Sequence, residues 1–282
     1  MTIIQWYPGH MTKAKRNMEQ DIALVDLSII VLDARIPYSS YNPDFNQILQ
    51  KKPRLVVLNK ADLANEGMTK QWIAYYQKQN IVAVPINAQR KQGMQQLLKQ
   101  VLRLAEPVMQ ALEAKGRNRR PVQAMVVGSP NTGKSTLINA LMPKATSKTG
   151  NKPGVTRGKQ WVRVHDRIEL LDTPGILWPK FEQPEVAFAL AVTGAVSDTV
   201  YDTYEVAEQL VAWLQQRQPA ALENRYQVAE EGLSPSEVLT EIGKKRGFLG
   251  AGGIVRTEEV AKLFLAEFRN GKIGRFTLDQ LP

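Results

Sequence analysis

Five short runs of branched apolar residues punctuate the first two-thirds of the chain: Leu27–Leu32, Leu55–Leu58, Ile81–Ile86, Val122–Val127 and Ile168–Leu171. Each is apolar almost throughout, and each runs into a polar or glycine-bearing segment. That pattern predicts parallel strands covered on both faces, with function gathered at their carboxyl ends. Stretches of helical spacing lie between them at Asn42–Gln50, Thr69–Gln79, Met94–Lys115 and Lys134–Leu141. Trp161–Val164 and Ile168–Leu171 flank His165-Asp166-Arg167, which predicts a hairpin. Lys115–Arg120 reads as a linker between two halves of one sheet.

After Trp178-Pro179 the texture changes. Glu185–Val192, Tyr204–Arg217, Ser236–Lys244 (after a Ser-Pro start) and Thr257–Phe268 (capped by Thr257) predict helices, and Gly250–Gly253 predicts a hinge or turn. The expected organisation is an α/β domain over residues 1–178, its mostly parallel sheet carrying helices on both faces. A small all-α domain is expected over residues 179–282. There are no internal repeats.

The 282 residues are 43% hydrophobic and 23% charged, ordinary values for a globular protein with one substantial core and a smaller domain. No apolar stretch approaches the roughly 20 residues needed to span a bilayer, so no membrane association is expected. Residues 1–10 lack the charged lead and apolar run of a secretory signal. The absence of cysteine excludes disulfides and thiolate metal sites, and it fits a cytoplasmic location. The net charge of +10 is unevenly spread. Residues 1–175 hold 26 Lys and Arg against 12 Asp and Glu, a balance of +14, whereas 176–282 hold 11 against 15, a balance of −4. Basic clusters at Lys13/Lys15/Arg16, at Lys115/Arg117/Arg119/Arg120 and at Lys144/Lys148/Lys152/Arg157/Lys159/Arg163 point to a polyanionic partner such as RNA. Solvated surface is the plainer alternative for such runs.

The strand ends carry chemistry. Gly128-Ser-Pro-Asn-Thr-Gly133-Lys134-Ser135 follows a strand and opens a helix, the context in which this pattern binds phosphates. Its glycines let main-chain N–H groups curl round the phosphates, aided by the helix N-terminus. Asn131, Thr132, Gly133, Lys134, Ser135 and Thr136 are the expected phosphate-binding set, with Lys134 at the β- and γ-phosphates and the Ser135 hydroxyl on Mg2+. Asp172-Thr-Pro-Gly175 ends another strand; Asp172 is expected to hold Mg2+ and the Gly175 amide to sense the γ-phosphate. Thr156, between the two motifs, is the candidate switch threonine completing the metal shell, against the plainer reading of a turn residue. Asn59-Lys60-Ala-Asp62 selects the base. The Asp62 carboxylate can accept from the N1–H and 2-amino groups that guanine has and adenine lacks, and a mismatch strands a buried charge. Asn59 supports the loop, the Lys60 stem can lie over the purine, and the Asn87-Ala88 main chain is expected to meet guanine O6. The expected ligand is therefore GTP.

Ordinary GTP-hydrolysing switches run phosphate loop, sensor, base reader. Here the base reader comes first, which predicts a circularly permuted fold. A site built at strand ends depends on spatial arrangement, so the permuted chain can retain it. It also makes the sensor lead directly into the C-terminal region, through which loss of the γ-phosphate is expected to reorient the helical domain. The glutamine that often orients water after the sensor glycine is replaced by Ile176, which cannot hydrogen-bond water through its side chain. Slow intrinsic turnover is expected, with help from elsewhere. His10, in Trp6-Tyr-Pro-Gly-His10-Met, is the candidate water-orienting group, although a lone histidine is more often packing or surface. The candidate catalytic set is His10, Lys134, Thr156 and Gly175; His165 reads as a structural turn residue.

Trp6-Tyr-Pro-Gly-His10-Met-x-Lys-Ala, Asp33-Ala-Arg-Ile-Pro, Asn59-Lys-Ala-Asp62, Gly128…Lys134-Ser-Thr-Leu-Ile-Asn, Lys148-Thr-Gly…Pro-Gly-Val-Thr156 and Leu171-Asp-Thr-Pro-Gly-Ile-Leu-Trp-Pro-Lys-Phe occur in that order. Over essentially its full length the chain resembles the circularly permuted P-loop GTPases of the ribosome biogenesis GTPase A family, of YlqF/YawG type. The resemblance implies a cytoplasmic factor that matures the large (50S) ribosomal subunit, contacts ribosomal RNA and proteins, and is stimulated by the precursor particle. It implies a helical C-terminal RNA-binding domain, His10 as the proposed catalytic histidine, and Asn131 as the ligand of K+ in potassium-activated relatives. Thr132 departs from the family's usual valine, and Asn87-Ala88-Gln89 from the Ser-Ala-Lys of many GTPases. Eight basic residues against three acidic ones over 243–275 leave a basic face despite the −4 balance. A monomer is expected. Two readings of other classes stay open: a GTP-dependent protein-binding switch without nucleic acid, and an RNA-binding scaffold that holds nucleotide without turnover.

Overall fold

The structure is a computed structural model and describes residues 9–49, 52–143, 161–179, 181, 183–229 and 232–282. The chain divides into two compact units, one comprising residues 7–178 with Asp279–Pro282, the other Pro179–Leu278.

In the first unit β1 (Leu27–Asp33), β2 (Arg54–Asn59), β3 (Val82–Pro85), β4 (Val122–Val127), β5 (Trp161–His165) and β6 (Ile168–Asp172) form one sheet in the order β3-β2-β1-β4-β6-β5. Every pairing is parallel except that of the β5–β6 hairpin. The helices of this unit are α1 (Gly9–Asp21), α2 (Asp44–Ile48), α3 (Glu66–Lys78), α4 (Met94–Glu113) and α5 (Lys134–Leu141). Strand side chains alternate between faces, and β1 shows why Ile29–Leu32 is apolar without a break. Leu27, Ile29 and Val31 enter a core with Leu97 and Val101 of α4 and Leu137 of α5. Ile30 and Leu32 enter the opposite core with Met18 of α1, Phe45 of α2 and Trp72 of α3. Each fully buried Leu or Ile contributes about 1.5–3 kcal/mol relative to exposure. The register aligns Asp33 with Asn59, so adjacent strands end together and deliver their polar termini to one edge.

The second unit contains α6 (Pro184–Thr193), α7 (Thr203–Arg217), α8 (Ala220–Tyr226), α9 (Pro235–Lys245) and α10 (Thr257–Arg269). α10 packs on α7 and α9 around buried Leu210, Leu214, Leu239, Ile242, Phe264 and Leu265. Gly243 permits the close approach: a Cβ there would lie 2.4 Å from Val255 Cγ1. α9 opens with a capping box, in which the Ser234 hydroxyl accepts from the Glu237 N–H and the Glu237 carboxylate accepts from the Ser234 N–H. Three details differ from the sequence reading. It contains no α8; Thr257 is the first helical residue, with Arg256 at the cap position and no side-chain cap bond; and residues 279–282, expected with the helices, belong to the first unit. Residues 250–253 form a tight turn between Leu249 and Val255, which pair as an isolated bridge. Among the described residues, no helix is long and apolar enough to cross a membrane.

Candidate functional site

Asn59 ends β2 and is 3% exposed. Its Nδ2 donates to the Thr132 carbonyl at 2.8 Å, and its Oδ1 accepts from the Ala88 N–H at 3.1 Å. One side chain thus joins the segments after β2, β3 and β4. Gly133 makes the approach possible, because a Cβ there would fall 2.2 Å from Asn59 Nδ2 and its φ of +95° disfavours any other residue. Lys60 Nζ bridges the same loops: it lies 2.9 Å from Asp33 Oδ2 and donates to the Asn131 carbonyl at 2.7 Å. Asp33 is buried at the end of β1 and accepts from the Arg35 guanidinium at 2.9 and 2.7 Å. Burial alone would raise its carboxyl; Arg35 and Lys60 together hold it well below the usual carboxylate range. Asp62 is partly exposed, and among the described residues nothing bonds its carboxylate, which leaves both oxygens for external donors. The Asn87 side chain instead serves its own turn, accepting from the Arg90 N–H at 2.9 Å.

The loop between β4 and α5 is tied internally and to β1. A Cβ at Gly128 would lie 2.4 Å from the Val31 carbonyl. The Ser129 carbonyl accepts from Thr132 Oγ1 at 3.0 Å and from Lys134 Nζ at 2.8 Å. Thr132 therefore does more than fill the space of a valine: its hydroxyl braces the loop at the atom that holds the lysine. Lys134 is 7% exposed, and burial pushes its ammonium down to about 8, against the pull of Asp172. Asn131, Ser135 and Thr136 are exposed, the latter two on the first turn of α5.

Asp172 ends β6. Its Oδ1 is buried and has no hydrogen-bond partner. Burial raises its carboxyl, with Lys134 and the Thr173 N–H opposing. An orphaned carboxylate oxygen and the exposed Ser135 hydroxyl are hard oxygen donors of the kind Mg2+ takes. Gly175 presses on the loop between β4 and α5: a Cβ would sit 2.8 Å from Lys134 Nζ and 2.9 Å from Pro130. The Ile176 N–H donates to the Gly128 carbonyl at 3.3 Å, and the Ile176 side chain is buried in the core beside α1–α3. Its apolar character thus serves packing.

The structure brings Asn59, Lys60, Ala88, Asn131, Thr132, Gly133, Lys134, Asp172 and Gly175 to one edge of the sheet. The His10 side chain, Thr156 and the cluster from Lys144 to Lys159 lie outside the described residues. Sequence reasoning assigned no part to Asp33, Arg35, Ser40 or Asn42. A charged pair closing an apolar strand, Asp33-Ala-Arg35, was the available signal for the first two. Ser40 and Asn42 offered none, since their partners lie 89 and 134 residues away.

A family described as 50S ribosome-binding GTPase matches residues 123–229. The chain is 44% identical over 277 residues to ribosome biogenesis GTPase A of Bacillus cereus, covering 98% of this chain and 94% of that protein. It is 45% identical to the protein of the same name from Priestia megaterium, covering 98% and 96%. Among solved structures it is similar to GNP-bound YlqF from T. maritima, with a TM-score of 0.65 and 27% identity over 95% of this chain and 98% of that one.

Proposed function

Because the chain belongs to the ribosome biogenesis GTPase A family, we propose that it matures the large (50S) ribosomal subunit, binding precursor particles through ribosomal RNA and protein and being stimulated by them. It is a GTPase of ribosome assembly, converting GTP to GDP and phosphate. The observation that carries the reading is the position of Asn59, whose one amide group links the base-reading segments to the phosphate loop. Specificity for guanine falls to Asp62, with Lys60 and Ala88 shaping the base pocket. Lys134 and the loop N–H groups of 131–136 hold the phosphates, and Gly175 reads the γ-phosphate. Mg2+, held by Ser135, Asp172 and Thr156, would neutralise charge on the phosphates. Since Ile176 is committed to the core, His10 orients the water, and K+, if bound at Asn131, would add a second source of charge.

Residues 179–278 are the RNA-binding domain in this reading. Its support is Ile254, just after the turn at 250–253 and 73% exposed, with the basic residues Lys245, Arg246 and Arg256 near it in sequence. A cytoplasmic monomer acting on a ribosomal particle completes the proposal. The test compares phosphate release with and without large-subunit precursor particles, in K+ and in Na+, for wild type and Lys134→Ala. Stimulation by particles in wild type alone is the expected result. Particle-independent turnover at full rate rejects the assembly role.

A further inference from the structure

Residues 33–42 run from the end of β1 toward α2 and touch three of the site's segments, those carrying Lys60, Ser129 and Ile176. Asp33 holds Lys60, the Ser40 carbonyl accepts from Ser129 Oγ at 2.7 Å, and Asn42 Nδ2 donates to the Ile176 carbonyl at 3.3 Å. Most of the segment is buried, with Ser39, Ser40 and Asn42 at 2% exposure or less, while the Tyr38 side chain is exposed. It is braced within: Ser40 Oγ accepts from the Asp33 N–H at 3.1 Å and donates to the Ile36 carbonyl at 2.6 Å. A further hold comes from residues 279–282. The Asp279 carboxylate, 8% exposed, accepts from the Tyr38 N–H and Ser39 N–H at 2.8 Å each and from Ser39 Oγ at 2.5 Å. Leu281 packs on the core that contains Ile176.

We infer that Asp279 is a positioning residue for GTP hydrolysis: it fixes Tyr38 and Ser39, and the braced segment then presents Ser40 to the phosphate loop and Asn42 to the sensor loop. This rests on reading residues 128–135 and 172–175 as the phosphate-handling loops. Three donors converging on one anion set both the place and the orientation of the segment. Burial raises the Asp279 carboxyl to about 6, so near neutrality the anion is kept inside at a desolvation cost that its donors offset only in part. Without it, the buried Ser39 N–H and hydroxyl and the part-buried Tyr38 N–H lose their acceptor, and the segment relieves them by shifting toward water. Such a shift displaces Ser129, whose carbonyl holds Lys134.

The experiment measures single-turnover hydrolysis, GTP affinity and amide exchange over 128–135 in full-length Asp279→Ala, Ser39→Ala and the double variant. Each single change is expected to slow turnover about tenfold and to leave GTP affinity within about threefold. Exchange in the phosphate loop should quicken, and the double variant should be no slower than the worse single one, since both act through one path. Turnover within about twofold of wild type, or losses that multiply in the double variant, overturns the inference. If Asp279→Ala does not fold, Ser39→Ala, which keeps two of the three bonds, decides the question alone. Lys134→Ala is run alongside. If it retains wild-type turnover, the phosphate-loop reading fails and takes the inference with it. If it is inactive while the Asp279 and Ser39 variants match wild type, the inference alone fails.

Discussion

Lys134 shows how position changes the chemistry of one residue. Among protein groups alone, burial lowers its ammonium to about 8; nearby phosphates would return it toward the ordinary lysine range. Below pH 8 the lysine is already charged in both states, and it contributes no slope. Above pH 8 binding must take up a proton, so GTP affinity is expected to fall as pH rises, by up to about tenfold per unit. Calorimetry in buffers of different ionisation heat checks the uptake, and Lys134→Arg, always charged, should show none. The proposed phosphate-loop role of Lys134 is legible because Gly-x4-Gly-Lys-Ser is a local pattern. The bond from Asn59 to Thr132 is not, because its partners are 73 residues apart and neither residue type announces the other. Thr132 likewise reads in sequence as a departure from valine, and only its distance to the Ser129 carbonyl gives it a task.

At the scale of elements, strands were the easiest to read. A strand covered on both faces is apolar at almost every position, and β4 appears in the structure with the limits its sequence suggests. α8 was hidden by its length: seven residues opening with two alanines after Pro219 give too few turns for a periodic signal. Its role is nonetheless substantial. Arg225 and Tyr226, at its end, bond the Glu267 carboxylate of α10, which is 5% exposed, at distances of 2.5–2.9 Å. Glu267→Ala leaves a guanidinium and a phenol without their shared acceptor, and a loss of about 2–4 kcal/mol is expected in denaturant unfolding of the full chain. Glu267→Gln, which can still accept, should lose less. Equal stability of the alanine variant and wild type would make the contact incidental.

For the whole molecule, charge distribution and chain order were plain in sequence, whereas the return of the tail was not. An acid at position 279 carries no local signal that its partners are at 38 and 39. If the partner is RNA, affinity for precursor particles must fall steeply with salt, with a slope on logarithmic axes of about −0.7 to −0.9 per phosphate contact. Joint replacement of Lys245 and Arg256 by alanine should flatten that slope by about one to two units; an unchanged slope places the contacts elsewhere, and a shallow wild-type slope favours a protein partner. Because the chain comes back to the nucleotide-binding unit at Asp279, the helices are spliced into that unit and are not hung from its end. A stop codon after Trp178 therefore removes two things at once, the helices and the anchor beneath the site. To excise the helices alone, Trp178 must be rejoined to Asp279 through a flexible Gly-Ser bridge, and only that protein reports what the bare engine can do.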